Sequence, residues 1–243
     1  MYRRCAAMAL KSKIEWTENT WNPVTGCTQV SEGCENCYAF RMATRLQKMG
    51  NAKYKNGFRL TLHEECLDEP YSWKKPARIF VNSMSDLLHA DIPLAYIQKV
   101  FTVMNSNPQH IFQVLTKRAN RLAEITQHVE WTDNIWLGVS VENDKHKDRI
   151  EALRHIPAKV KFVSFEPLLS DVESIDFSLI DWAIVGGESG WHARQMEQDW
   201  VLNIKTQCEQ QNTLFYFKQW GGVRKKQTGR ILLGQTWDAM PAS

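Results

Sequence analysis

The chain has 243 residues, 43% of them hydrophobic, and a formal net charge of +3. That length suits one large domain, and α/β barrels often reach it as a single unit. The mild basicity permits a polyanionic partner without demanding one, no apolar run nears the ~20 residues of a membrane span, and six cysteines in a chain this long do not make a secreted disulfide scaffold, so a reduced, cytoplasmic protein is expected.

Residues 1–12 are expected to be disordered, with Met8 as an alternative start, and they are too short for a signal peptide. A first strand is expected near Ile14–Thr17. A loop carrying Cys27, Cys34 and Cys37 follows, then an amphipathic helix over 37–49 ended by Gly50-Asn51. Six short apolar runs come next: Arg78–Val81, Ile111–Leu115, Ile135–Val139, Val160–Val163, Trp182–Val185 and Leu214–Phe217. Each is apolar on both faces, as parallel strands buried on two sides require. Helices are expected between them at 92–105, 143–156 and 195–211. Alternating strands and helices imply parallel βαβ crossovers. The expected fold is an α/β, partial or closed β/α (TIM-like) barrel over 13–221, with an open doubly wound sheet as the rival. Residues 222–243 read as a C-terminal appendage with basic Arg224-Lys225-Lys226 and a short strand pair.

Polar residues follow every run: Asn82-Ser83-Met84-Ser85-Asp86, Thr116-Lys117-Arg118, Ser140-Val141-Glu142, Ser164-Phe165-Glu166, Gly186-Gly187-Glu188 and Lys218-Gln219-Trp220. In β/α barrels the C-terminal strand ends build the active site. Charges there are half-buried and need partners. Gly186 and Gly187 let the backbone approach a ligand closely or form an anion nest. Trp16, Trp21, Trp136 and Trp220 read as packing.

Clustered cysteines in a reduced compartment suggest metal or redox work. A structural zinc site wants four ligands, and this loop offers one CxxC pair and one single cysteine; His63 or Cys66 could complete it. A redox pair at Cys34 and Cys37 leaves Cys27 unexplained. An iron–sulfur cluster with one open iron uses all three thiolates. Gly26 and Gly33 each precede a cysteine and would let the loop wrap. Thr25 and Asn36 could donate hydrogen bonds to the sulfurs. Cys208 has no assigned role.

The layout resembles the radical S-adenosylmethionine (radical SAM) superfamily. On Trp21-Asn22-Pro23-Val24-Thr25-Gly26-Cys27 and the strand-end motifs, the chain is more narrowly similar to a phage-associated family, the phage Gp thirty-seven/sixty-eight or three-Cys-motif proteins. The resemblance spans about residues 13 to 241. It implies a [4Fe-4S] cluster held by Cys27, Cys34 and Cys37. It further implies S-adenosyl-L-methionine (SAM) on the open iron and hydrogen abstraction by a 5′-deoxyadenosyl radical. The spacing differs: six residues, rather than the superfamily's common three, separate Cys27 from Cys34, and Asn36 stands where an aromatic is usual. Tyr38 is the nearest aromatic.

The resemblance also implies roles. Asn82, Ser83, Ser85 and Asp86 would meet the SAM amino group, with Ser85 and Asp86 foremost. Ser140 and Glu142 would meet the ribose. Glu166, Glu188 and Lys218 would face the substrate or the SAM carboxylate as catalytic candidates. Lys117 and Arg118 would pair with a carboxylate or phosphate. The substrate expected is a nucleobase or nucleic acid, and a protein partner encoded nearby is a further expectation. The alternatives are a non-enzymatic iron–sulfur or zinc module and a nucleic-acid-binding protein whose barrel has lost activity.

Overall fold

The computed structural model of the protein describes residues 12 and 14–242. Seven parallel strands form one curled sheet in chain order: β1 (Asn19–Trp21), β2 (Arg78–Val81), β3 (Ile111–Thr116), β4 (Ile135–Ser140), β5 (Val160–Phe165), β6 (Trp182–Gly186) and β7 (Leu214–Gln219). The sheet is a half-barrel, because β1 and β7 pair only with β2 and β6. The partial barrel expected from the alternating pattern is therefore the fold, and the closed barrel and the doubly wound sheet are not. Helices α1 (Tyr38–Lys48), α2 (Leu94–Asn105), α3 (Leu122–Thr126), α4 (Asp148–Arg154) and α5 (Gln198–Gln210) lie between strands.

The strands are buried on both faces, yet their side chains sort into two cores with the period of two that a pleated strand imposes. Ile135, Leu137 and Val139 of β4 join the large core with the helices, as do Val163 and Phe165 of β5, Ala183 and Val185 of β6, and Phe215 and Phe217 of β7. Phe80, Trp136, Phe162, Trp182, Ile184 and Tyr216 turn the other way and join Trp16 in a second cluster. Its rings meet edge-on or tilted, with Trp16–Phe80 centroids at 4.8 Å and Phe162–Trp182 at 5.6 Å, a favourable aromatic geometry. Gly138 makes room for it: a Cβ there would sit 2.4 Å from the Phe162 ring.

Three expectations are corrected. The first strand is Asn19–Trp21, not Ile14–Thr17; its backbone pairs with Ile79–Val81, while the turn before it carries Trp16 into the inner cluster. Residues 143–156 do not form one helix: the Asn143 side chain caps a short turn over Asp144–His146, and α4 begins at Asp148. The appendage holds a short helix at Lys225–Thr228 and an isolated bridge between Leu232 and Gln235, not a strand pair. Its last residues run along β7, with Tyr216 bridged to Asp238 and the Trp182 indole donating to Ala239 O at 2.8 Å. The region expected to be disordered lies, apart from Ser12, outside the described residues. No described helix is long and apolar enough to cross a membrane.

Candidate cofactor site

The cysteine loop leaves β1 and is tied down by residues from four strand ends. Two asparagines clasp its root: Asn22 Oδ1 accepts from Met84 N at 3.0 Å, and Asn82 Oδ1 accepts from Val24 N at 3.1 Å. Asn82 has φ 60, a left-handed conformation that asparagine tolerates better than most residues. Gly26 has φ +82, and a Cβ there would meet Arg59 O at 2.2 Å. Only glycine suits that backbone, and Gly26 N donates to Met84 O at 3.0 Å.

Further along, Glu142 at the end of β4 meets the loop. Ser31 Oγ donates to Glu142 Oε1 at 2.6 Å, and a Cβ on Gly33 would lie 2.5 Å from Glu142 Cγ. Gly33 is thus needed for close approach rather than for wrapping. Glu142 is fully buried and paired with Lys117 and, at 2.8 Å, with Arg149. Burial pushes its carboxyl up, but Lys117, Ser31 and Arg149 outweigh that and hold it below the usual glutamate value.

Glu188, beyond β6, anchors the other side. It accepts from Asn36 Nδ2 at 3.0 Å and from Arg194 Nη2 at 2.6 Å. Arg194 also reaches Glu35 at 3.0 Å and Glu32 O at 2.8 Å. Burial raises the Glu188 carboxyl and these donors, Arg194 foremost, bring it below its ordinary value. Arg194 went unnoticed in the sequence, since it stands in no strand-end motif. Arg41 of α1 ties the same region with bonds to Ser189 O and Trp191 O at 2.7 and 2.9 Å.

Cys27, Cys34 and Cys37 are free cysteines. All three line a cavity of about 500 Å³ inside the half-barrel and a second of about 740 Å³ on the loop's other side. They stand on the wall between the two. Arg118 Nη1 lies 3.4 Å from Cys27 Sγ. Burial pushes the Cys27 thiol up to about 11, with Arg118 opposing the rise. Among the described residues no three His, Cys, Asp or Glu side chains gather around a single ion. Neither Thr25 nor Asn36 reaches a sulfur. The Thr25 hydroxyl bonds His63 Nε2 at 2.8 Å, and both Asn36 amide hydrogens are spent, on Glu188 and on His192 O. Arg118 takes that place at Cys27, while Ser31 Oγ, 3.8 Å from Cys34 Sγ, spends its one proton on Glu142. Cys66 is buried and disulfide-bonded, so it cannot complete a zinc site, and not every cysteine is reduced as expected. Cys208 is buried among α5 side chains in the large core, away from both cavities.

Most of the anticipated strand-end residues line the inner cavity. Asn82, Ser83, Ser85 and Asp86 do so from β2, Lys117 and Ser140 from β3 and β4, and Glu166, Gly187, Glu188 and Lys218 from β5 to β7. Tyr38 stands at the rim, half exposed, donating its hydroxyl to Ser83 O. Gly186 sits beneath the Glu166–Lys218 pair, whose atoms are 2.5 Å apart; a Cβ on it would lie 3.4 Å from Lys218 Cβ. Glu142 lies behind the wall. The floor is Trp16, Phe80 and Leu115.

Two of these carboxylates are already saturated. Asp86 accepts from Thr116 Oγ1, Leu88 N, Lys117 N and Arg118 Nη1 at 2.8 to 3.1 Å. Glu142 is filled by Lys117, Ser31 and Arg149. Asn82 Nδ2 and Ser164 Oγ, in contrast, are buried atoms of cavity-lining residues with no hydrogen-bond partner among the described residues. Such groups are costly unless something satisfies them.

A curled sheet of seven parallel strands with a three-cysteine loop at its C-terminal mouth is a partial β/α barrel with a thiol-lined cavity. The chain belongs to the family described as "Protein of unknown function (DUF5131)", whose model matches residues 11–241. The phage family suggested by the motifs is not what this comparison finds. No curated protein matches the chain. Solved structures of spore photoproduct lyase share the fold. A mutant with bound AdoMet and dinucleoside spore photoproduct has TM-score 0.52 at 11% identity, over 84% of this chain and 64% of that one. A mutant with dinucleoside spore photoproduct has TM-score 0.53 at 12% identity, over the same 84% and 64%. This chain therefore spans a little under two thirds of their length, and at such identity the likeness shows the fold alone.

Proposed function

We propose that this chain is a cytoplasmic radical SAM-type enzyme that binds a [4Fe-4S] cluster through Cys27, Cys34 and Cys37 and uses SAM to abstract hydrogen from a nucleobase or nucleotide-type substrate. The observation that carries the reading is the position of three free thiols on one wall of a partly open cavity at the strand ends. The donor set fits such a group. Each thiolate of a four-iron cube takes a different iron, so the sulfurs need not converge on one point as a zinc site demands. When bound, the cluster and SAM supply reductive cleavage to a 5′-deoxyadenosyl radical, which takes a hydrogen atom from the substrate.

The residues of the chain would bind and orient. Asn82 Nδ2 and Ser164 Oγ, both without partners, would each gain one from a ligand in the cavity. Lys218, beside Glu166, would receive a ligand carboxylate, and the free oxygen of Glu166 would accept from a ligand donor. Ser83, Ser85, Ser140, Gly186 and Gly187 would let small polar groups and the backbone come close, and Tyr38 would cover the rim. Glu142 and Glu188 would act from behind, fixing the loop so that the thiolates stay aimed. Asp86 would act through Arg118. The aromatic floor would keep water out of the lower half of the cavity.

The nucleotide-type substrate has only the dinucleoside ligands of the fold neighbours in its favour. The phage association rests on sequence motifs. The activity is tested by anaerobic reconstitution, dithionite reduction and detection of 5′-deoxyadenosine, with wild type beside Cys34→Ala. Product from wild type alone is expected. Equal product from both, or none from a loaded wild type, would reject the reading.

A further inference from the structure

Arg118 is nearly buried, and both terminal nitrogens of its guanidinium are engaged. Nη1 lies 3.4 Å from Cys27 Sγ and 3.1 Å from Asp86 Oδ2. Nη2 donates to Thr28 O and Thr28 Oγ1, both at 2.9 Å. The Thr28 hydroxyl is itself fixed by His89. Asp91 N donates to His89 Nδ1 at 3.1 Å, so the ring proton is assigned to Nε2, which donates to Thr28 Oγ1 at 2.8 Å. A cation held this way, between buried Asp86 and an exposed Thr28 that buried His89 fixes, cannot swing off the sulfur. Asp86 bonds the guanidinium and no sulfur, so it is the fixed counter-charge in the frame.

Resting on the function proposed above, we infer that Arg118 is a positioning residue that sets the reduction potential of the cluster through Cys27, and that Asp86 trims its effect. Reduction transfers one electron from an external one-electron donor to the group held by the thiolates; the donor is oxidised by one electron and no proton is required. The extra negative charge is stabilised by a buried cation hydrogen-bonded to a ligand sulfur, because the interaction is poorly screened there. Hydrogen bonds to sulfur and local charge are established levers on cluster potential. The Asp86 carboxylate has the opposite sign and partly cancels the cation.

The two residues should therefore shift the potential in opposite directions. The experiment is a spectroscopic redox titration of the reconstituted full chain, with dithionite as reductant and iron and labile sulfide counted for each variant. Arg118→Met should shift the midpoint to more negative values, and Asp86→Asn to more positive ones. Arg118→Lys should fall between wild type and Arg118→Met. General loosening of the site would move both variants the same way. An unchanged midpoint in a loaded Arg118→Met, or shifts of one sign in both, overturns the inference and leaves the cluster standing. Should Arg118→Met fail to take up iron, Arg118→Lys and Asp86→Asn decide the matter by the same signs. A wild type that takes up no iron and sulfide fails at the earlier step, the proposed function itself.

Discussion

Glu142 and Gly33 touch so closely that the glycine has no room for a side chain: a Cβ would lie 2.5 Å from Glu142 Cγ and 2.6 Å from its Oε1. Glu142 cannot retreat, because Lys117, Arg149 and Ser31 hold both its oxygens. Gly33→Ala should therefore destabilise the fold by about 1–3 kcal/mol, the usual cost of forcing atoms into a packed site. Chemical denaturation measures it. Combined with Glu142→Ala, the loss should fall short of the sum of the two single losses, since the clash is then gone. Strict additivity would show that the two residues are not in contact.

The same carboxylates give the fold an acid limit. Glu142 and Glu188 are both held below the ordinary glutamate value in the folded chain. A depressed carboxyl binds its proton more readily when the chain unfolds. Its stabilisation is complete above the unfolded value near 4.5 and is lost as pH falls through the lower folded values. The cysteine loop should loosen only below that pH. Glu142→Gln with Glu188→Gln should flatten the acid limb of a plot of melting temperature against pH. An unchanged acid limb would contradict the assignment.

Ser164 offers a test that separates binding from folding. Its buried hydroxyl oxygen has no partner. Ser164→Ala should leave stability unchanged or slightly higher, because a buried unpaired polar group is removed. If the hydroxyl serves SAM, the same change should weaken SAM binding to the reconstituted protein by up to about tenfold, one hydrogen bond's worth. Calorimetry reads both quantities. A loss of stability with unchanged affinity would make Ser164 a structural residue.

The inner aromatic cluster should be as demanding as the large core. Trp182 is fully buried and meets Trp16, Trp136, Phe162 and Tyr216 with centroids between 5.6 and 6.3 Å. Trp182→Ala should cost about 3–5 kcal/mol. A loss under 1 kcal/mol in urea denaturation would mean that this inner cluster is loosely packed.

Six of the seven strands were legible because parallel strands buried on both faces leave continuous apolar runs, as at Val160–Phe165 and Trp182–Gly186. Asn19–Trp21 was not, being three residues long and polar at two of them. The cysteines and the strand-end polar residues were legible by type and position. Their pairing was not. Arg194 meets Glu35 across 159 residues, and Arg118 meets Cys27 across 91. Contacts at such separations are set by strand register, which no local pattern records. Asp86 was expected to meet the SAM amino group, and its saturation was hidden for the same reason: its four donors come from its own turn and from the neighbouring strand end.

Metal and sulfide content decides the central claim most directly. After anaerobic reconstitution with iron and sulfide, the wild-type chain should hold about four irons and about four labile sulfides, the complement of one four-iron cluster. Cys27→Ala, Cys34→Ala and Cys37→Ala should each lose most of both. A wild-type chain that binds zinc without labile sulfide, or keeps the same iron when all three cysteines are replaced, would contradict it.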